Sequence, residues 1–167
     1  DAVAEIIKKA SKKNKIAVVV SAMSGETNRL IDLANSFGNN PDKREFDALV
    51  STGETISSAL LSMALHSKGI KARSFSASQI AIRTTSSYSK AKILDVDAKK
   101  ILDVLENDTI PIITGFQGIT EGGDITTLGR GGSDATAVAI AAQINANRCD
   151  IYTDVDGIFT TDPNIVS

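Results

Sequence analysis

The chain has 167 residues, 18 Lys+Arg against 20 Asp+Glu, one histidine (His66), one cysteine (Cys149) and no tryptophan. Those counts exclude a zinc centre and a disulfide framework, leave imidazole chemistry to His66 alone, and point to a reducing compartment. A formal net charge of −2 with 4% aromatic residues gives neither a long-range pull on nucleic acid nor platforms for stacked bases.

At 42% hydrophobic and 23% charged the composition is that of a globular domain long enough to bury a core. The apolar runs are strand-sized and far short of the ~20 residues that cross a bilayer, and residues 1–13 lack a signal-peptide core. The expectation is one cytoplasmic α/β unit over 1–167, without membrane or nucleic-acid partners.

In chain order, Ala2, Ile6, Ile7 and Ala10 recur at helical spacing, with Lys8, Lys9, Lys12 and Lys13 at the end where cations suit the helix dipole. Ile16–Val20 predicts a strand buried on both faces. Ser21–Glu26 is a loop, and Thr27–Ser36 a helix closed by the Gly38–Pro41 break. Phe46, Leu49, Val50, Gly53, Ile56, Leu60, Met63 and Ala64 mark one helical face, interrupted near Thr52-Gly53. Gly69 stops that helix, and Ala72–Phe75 is the next strand. Ser76–Lys92 predicts a hairpin or excursion over a sheet edge. Helix Val96–Glu106, strand Ile110–Thr114, a glycine-rich stretch to Gly132 containing a short strand, helix Ser133–Asn145, and strands at Arg148–Thr153 and Gly157–Thr161 complete the chain. Strands alternating with helices predict a mostly parallel sheet covered on both faces.

Four groups of residues could carry chemistry. Thr126-Thr-Leu-Gly-Arg-Gly-Gly-Ser-Asp-Ala-Thr136 puts a glycine-dense turn before a helix, which offers unpaired N–H groups, the positive dipole end and Arg130 as a bidentate clamp. It is neither a Walker A loop nor a dinucleotide fingerprint. The alternative is an ordinary N-cap by Ser133 or Asp134. The acidic run Thr153–Pro163 fails as a calcium loop, because Tyr152 and Pro163 fall at ligand positions. It is either an Asp-Gly turn or a ligand site at a strand's carboxyl end. Ser21–Thr27 is a second strand-to-helix loop. Ser51, Thr52, Glu54, Thr55, Ser58 and Ser62 form a polar stripe expected to face solvent. His66 is expected to make an exposed cap contact, and Cys149 to act as a small buried hydrophobe.

Together these segments resemble the aspartokinase branch of the amino acid kinase family. The strings that carry the resemblance are Ser21-Ala-Met-Ser-Gly-Glu-Thr-Asn28, Ser51-Thr-Gly-Glu54, Thr114-Gly-Phe-Gln-Gly118, Thr127-Leu-Gly-Arg-Gly-Gly-Ser-Asp134 and Tyr152-Thr-Asp-Val-Asp-Gly157 with Thr160-Thr-Asp-Pro163, in the family's order. The resemblance implies a three-layer αβα sandwich of the carbamate kinase type and transfer of the ATP γ-phosphoryl group to the side-chain carboxylate of L-aspartate. That reaction opens lysine, threonine and methionine synthesis. It implies L-aspartate and ATP as ligands, Mg²⁺ carried by the nucleotide, no metal site of the protein's own, and a homo-oligomeric full-length protein. Ser21, Thr27, Glu54, Phe116, Arg130 and Ser133 would bind the amino acid, Glu54 through its ammonium group. Arg130 and Asp134 would be catalytic. Gly131, Gly132, Thr153, Asp154, Phe159 and Asn164 would contact the nucleotide.

The sequence departs from the pattern at Phe159, where many members carry Tyr, and at Asn164, where many carry Arg; weaker ATP binding is the expectation. The family's Lys-Phe-Gly-Gly opening and its C-terminal ACT domains lie outside the sequence, so it is expected to be a partial catalytic domain without kinase activity alone. A kinase of another acidic amino acid, or a ligand-binding module without catalysis, are the rival readings.

Overall fold

The computed structural model describes residues 2–38 and 40–152. Its centre is a parallel three-stranded sheet in the order β1-β5-β2, formed by Val18–Val20 (β1), Ile110–Thr114 (β5) and Ala72–Phe75 (β2). Val18 pairs with Ile112, and Phe75 with Ile113. All five residues of β5 are buried, whereas β1 at the sheet edge is only half-buried. The expectation of burial on both faces therefore holds for the central strand and not for β1.

Side chains alternate across a strand, and here they feed two cores. Ile110 and Ile112 point to one face, where they meet Ala72, Leu65, Ala4 and Ile7. These come from β2, from α1 (Ala2–Ser11) and from α4 (Thr52–His66). Ile113 and Phe75 point to the other, against Ile101, Leu105 and Ile140 of α5 (Ala98–Glu106) and α6 (Gly132–Gln143). Helices, sheet and helices make three layers, as expected. In α1 the buried pair is Ala4 and Ile7, with Ile6 44% exposed, so the helix is turned away from the face the spacing suggested.

Two further helices, α2 (Glu26–Asn35) and α3 (Lys43–Val50), lie before α4. Asp42 caps α3 by accepting hydrogen bonds from the backbone N–H groups of Arg44 and Glu45. The interruption between α3 and α4 falls at Ser51, close to the expected place. The run Lys43–His66 is long and apolar enough, by length and composition, to cross a membrane. It is a core helix here, since α4 packs on the parallel sheet.

The polar stripe of α4 meets its expectation at Thr52 and Thr55, which are exposed, and contradicts it at the other four positions. Ser51, Glu54, Ser58 and Ser62 are buried, while Ile56, Leu60 and Met63 are exposed. The hydroxyls of Ser57, Ser58 and Ser62 donate to the carbonyls of Gly53, Thr55 and Ser58 on their own helix. Small side chains satisfied in this way can face a core without an unpaired polar atom.

The hairpin expected at 76–92 is present, its second strand lying just beyond Lys92, and the glycine-rich stretch holds two short strands where one was expected. Ile82–Thr84 (β3), Ile93–Val96 (β4), Gln117–Ile119 (β6) and Ile125–Thr127 (β7) form a second sheet in the order β4-β3-β6-β7. Only β3 and β6 are parallel; the other two pairings are antiparallel. Strand β4 absorbs Val96, and Asp97 starts α5 by accepting from the Lys99 N–H. Strand-sized pieces of three or four residues carry too little periodicity to announce themselves. Within this sheet Thr84 and Thr126 share a 2.6 Å hydroxyl hydrogen bond. A Cβ on Gly118 would lie 2.2 Å from Thr84 Cγ2, so the strands close only over glycine.

The strand expected at Arg148–Thr153 is absent over the described residues 148–152, which pair with no strand and are exposed. Arg148 turns instead onto Asp150, and Cys149 is exposed rather than buried. The strand expected at Gly157–Thr161 lies outside the described residues.

Candidate active site

Parallel sheets place ligands beyond the carboxyl ends of their strands, and four loops or helix starts converge there. Val20 accepts a 2.9 Å hydrogen bond from the Gly115 N–H, which joins the ends of β1 and β5. A Cβ on Gly115 would sit 2.8 Å from Ser133 Oγ and 2.9 Å from Ser133 Cα. Only glycine therefore lets the end of β5 meet the start of α6. A Cβ on Gly53 would likewise come within 2.8 Å of Ala22 Cβ, with Leu30 and Glu26 of α2 close by. This packs the starts of α4 and α2 against the loop after β1 and places Ser21, Thr27 and Glu54 on one side of the site.

On the other side runs the loop 128–131. Leu128 donates to the Phe116 carbonyl at 2.9 Å, and Gly129 and Gly131 have φ of 84° and 70°. Phe116 itself has φ of 64°, a left-handed conformation that costs a non-glycine side chain about 1 kcal/mol. A Cβ on Gly132 would meet the Phe116 ring at 2.9 Å. The loop is thus wrapped onto Phe116, and Arg130 projects from its exposed side.

The N-cap of α6 is Gly131, and no side chain caps the helix. This settles the question left open by the sequence: neither Ser133 nor Asp134 serves as an ordinary cap. Gly132 N–H donates to the Gly129 carbonyl. Among the described residues the backbone N–H groups of Ser133 and Asp134 have no acceptor, and Arg130 makes no ion pair. Two donors at the positive end of a helix beside a free guanidinium form a receptor for an anion.

Glu54 supplies the opposite charge. It is 3% exposed and its Oε1 accepts from the Ala22 N–H at 3.0 Å. Its Oε2 is buried with no hydrogen-bond partner, a state shared among the described residues only by Thr114 Oγ1 at the end of β5. Burial pushes the Glu54 carboxyl up to about 7, against the pull of its own N–H and that of Ala22. A cation placed at Oε2 would restore the ionised form. No group of three or more His, Cys, Asp or Glu among the described residues stands ready to hold a metal ion.

These contacts join Glu54 to the loop after β1, and Phe116, Gly132 and Ser133 to the end of β5; Ser21, Thr27, Arg130, Gly131 and Asp134 stand on the same loops and helix starts. Thr153, Asp154, Phe159 and Asn164 lie outside the described residues. His66 is exposed at the end of α4, but its Nε2 lies 2.7 Å from the Ala72 carbonyl of β2, a contact to the next strand and not the expected helix cap. Sequence reasoning gave no role to Gln117, which is buried and donates through Nε2 to the Ser51 carbonyl at 2.8 Å. It also missed Asp47, on the buried face of α3. Asp47 lies in line with Val50, Ser51 and Glu54 at i+3, i+4 and i+7, all four buried, and only the structure shows that this line faces inward.

Known proteins share this fold. The chain is 54% identical over 152 residues to an aspartate kinase of Stutzerimonas stutzeri, covering 91% of this chain and 37% of that protein. It superposes on the crystal structure of aspartate kinase from Synechocystis with a TM-score of 0.79 at 44% identity, covering 99% of this chain and 27% of that one. Aspartokinase III of E. coli, solved with aspartate and ADP in its R-state, gives 0.70 at 35% identity, with 83% and 32% covered. The chain spans about two fifths of the length of the curated relatives it matches. The amino acid kinase family model matches residues 1–167, and the chain belongs to that family.

Proposed function

We propose that the full-length protein carrying this chain transfers the γ-phosphoryl group of ATP to the side-chain carboxylate of L-aspartate. The observation that carries this reading is the buried, half-satisfied Glu54 opposite the free Arg130. An amino acid with an ammonium group and two carboxylates complements that pair: its ammonium reaches Glu54 Oε2 and a carboxylate reaches Arg130. The relatives named aspartate kinase, and the aspartate and ADP bound in one of them, support the choice of acceptor.

The chemistry asks for little proton transfer. An aspartate side chain has a pKa of about 3.9, so at neutral pH the nucleophile is already ionised and no general base is needed. The task is positioning and charge neutralisation. Arg130 orients the acceptor, with Ser21, Thr27, Phe116 and Ser133 around it. Gly131, Gly132 and the N–H groups of Ser133 and Asp134 hold phosphate oxygens. Thr153, Asp154, Phe159 and Asn164 complete the nucleotide contacts. Mg²⁺ arrives with ATP and offsets its phosphate charge; Asp134, an exposed carboxylate at the start of α6, suits a hard cation that binds through one or two carboxylates and substrate phosphates. The setting is cytoplasmic, the full-length protein a homo-oligomer, and the product feeds lysine, threonine and methionine synthesis.

The test traps acyl phosphate as a hydroxamate, using purified full-length protein, ATP-Mg²⁺ and a panel of L-aspartate, L-glutamate and N-acetyl-L-glutamate. Turnover with L-aspartate is expected. Preference for N-acetyl-L-glutamate, which has no ammonium group for Glu54, would overturn the reading.

A further inference from the structure

A second buried carboxylate has no part in that mechanism. Asp47 on α3 is 0% exposed and accepts four hydrogen bonds from two distant segments. Oδ2 takes the backbone N–H of Thr127 at 2.7 Å and of Ser89 at 2.8 Å. Oδ1 takes the hydroxyls of Thr127 at 2.9 Å and Ser89 at 3.0 Å. Thr127 is the last residue of β7, and the loop bearing Arg130 begins at the next position.

The same seam continues on both sides of Asp47. Thr127 accepts from the Ala91 N–H at 2.9 Å. A Cβ on Gly129 would touch the Ser89 carbonyl at 3.4 Å, so the Ser89 backbone borders the loop itself. Ser89 has φ of 64°, a left-handed conformation for a residue that is not glycine. Two of the four contacts to Asp47 hold it there. A carboxylate with all its near acceptor sites filled fixes geometry and has little capacity left for a ligand.

We propose that Asp47 is a positioning residue for the phosphoryl-transfer reaction. It clamps Thr127 and Ser89 to α3, and so sets where loop 128–131 starts and where Arg130 points, whereas the start of α6 is held separately against Gly115 and Phe116. This inference rests on the kinase reading above. Geometry rather than charge is what Asp47 supplies. An asparagine can present its carbonyl to the two backbone N–H groups and its amide to the two hydroxyls, which also accept.

The test is steady-state kinetics of full-length wild type, Asp47→Ala, Asp47→Asn and Thr127→Val with L-aspartate and ATP-Mg²⁺, alongside thermal unfolding. Misplacing the clamp by part of an ångström is expected to raise the KM for aspartate about tenfold or more in Asp47→Ala, with the KM for ATP changed less than about threefold and unfolding still cooperative. Asp47→Asn should recover most of the loss. An Asp47→Ala enzyme with an unchanged aspartate KM, or with both KM values rising together, overturns the proposal. So does Asp47→Asn that stays as impaired as Asp47→Ala. If Asp47→Ala yields no folded protein, Thr127→Val decides: an aspartate KM raised about threefold alone supports the clamp, and an unchanged one overturns it. Wild type inert toward L-aspartate overturns the kinase reading and the proposal with it, whereas active wild type with an unaffected Ala variant overturns the clamp alone.

Discussion

Asp47 and Glu54 lie seven residues apart on consecutive helices, both buried, and their surroundings are opposite. Asp47 faces the mixed sheet and accepts four hydrogen bonds. Glu54 faces the loop after β1, accepts from Ala22, and keeps Oε2 bare. Burying a carboxylate costs free energy unless it is paired or hydrogen-bonded. The fold meets that cost within itself at Asp47 and leaves it partly unmet at Glu54. The difference separates a residue that holds the site in shape from one that waits for a ligand. On the proposed function, a ligand ammonium would gain both its attraction to Glu54 and relief of that carboxylate's burial.

The largest effect expected from breaking this contrast is on aspartate binding. Glu54→Gln keeps the acceptor for Ala22 N–H and removes the charge, and should raise the KM for L-aspartate about 100-fold, the scale of losing one side of a desolvated charge pair. An increase below about threefold would place the ammonium elsewhere. Next comes stability at Asp47. Asp47→Ala strands the N–H groups of Thr127 and Ser89 and should cost roughly 3 kcal/mol in denaturant unfolding. A loss no larger than that of an exposed substitution would mean water replaces the carboxylate.

Glu54→Gln should have the opposite sign on stability. The Glu54 pKa is raised by folding from 4.5 to about 7. Its favourable contribution is therefore complete below the unfolded value and is lost as pH rises through about 7. The variant should gain roughly 2 kcal/mol over wild type at pH 8 and little at pH 4. Equal stability of the two at both pH values would show that Glu54 is not strained by burial. Of similar or smaller size is Gly115→Ala, whose added Cβ would meet Ser133 at 2.8 Å. It should cost about 1–2 kcal/mol through overpacking and displace the start of α6. The smallest change is expected at Arg44→Ala. Its 2.8 Å pair with Asp124 is exposed, and exposed pairs contribute little once screened. A clear drop in Tm would mean that α3 depends on this surface contact as well as on Asp47.

The sequence made one half of this contrast partly legible. Arg130 and the Gly131–Asp134 turn sit inside a short string whose residue types already suggest an anion site, whereas Glu54 stands in a stripe expected to face solvent and gains its role only through the family resemblance. The other half depends on pairs that no local window contains. Asp47 meets Ser89 and Thr127 across 42 and 80 residues of chain. The mixed sheet is built from strands of three and four residues, too short for alternation to be counted. The α4 stripe misled for a related reason. Serines that return their hydroxyls to their own helix read as polar in sequence and pack as small residues in the core.

The most direct measurement of the central claim is the proton balance of aspartate binding to the full-length protein, taken by calorimetry at pH 7 in buffers of differing ionisation enthalpy. Burial pushes the Glu54 carboxyl up to about 7, so it carries part of a proton there and gives it up when it ionises against the ligand ammonium. Net proton release is expected from wild type and none from Glu54→Gln. Equal proton release by the two proteins would contradict it.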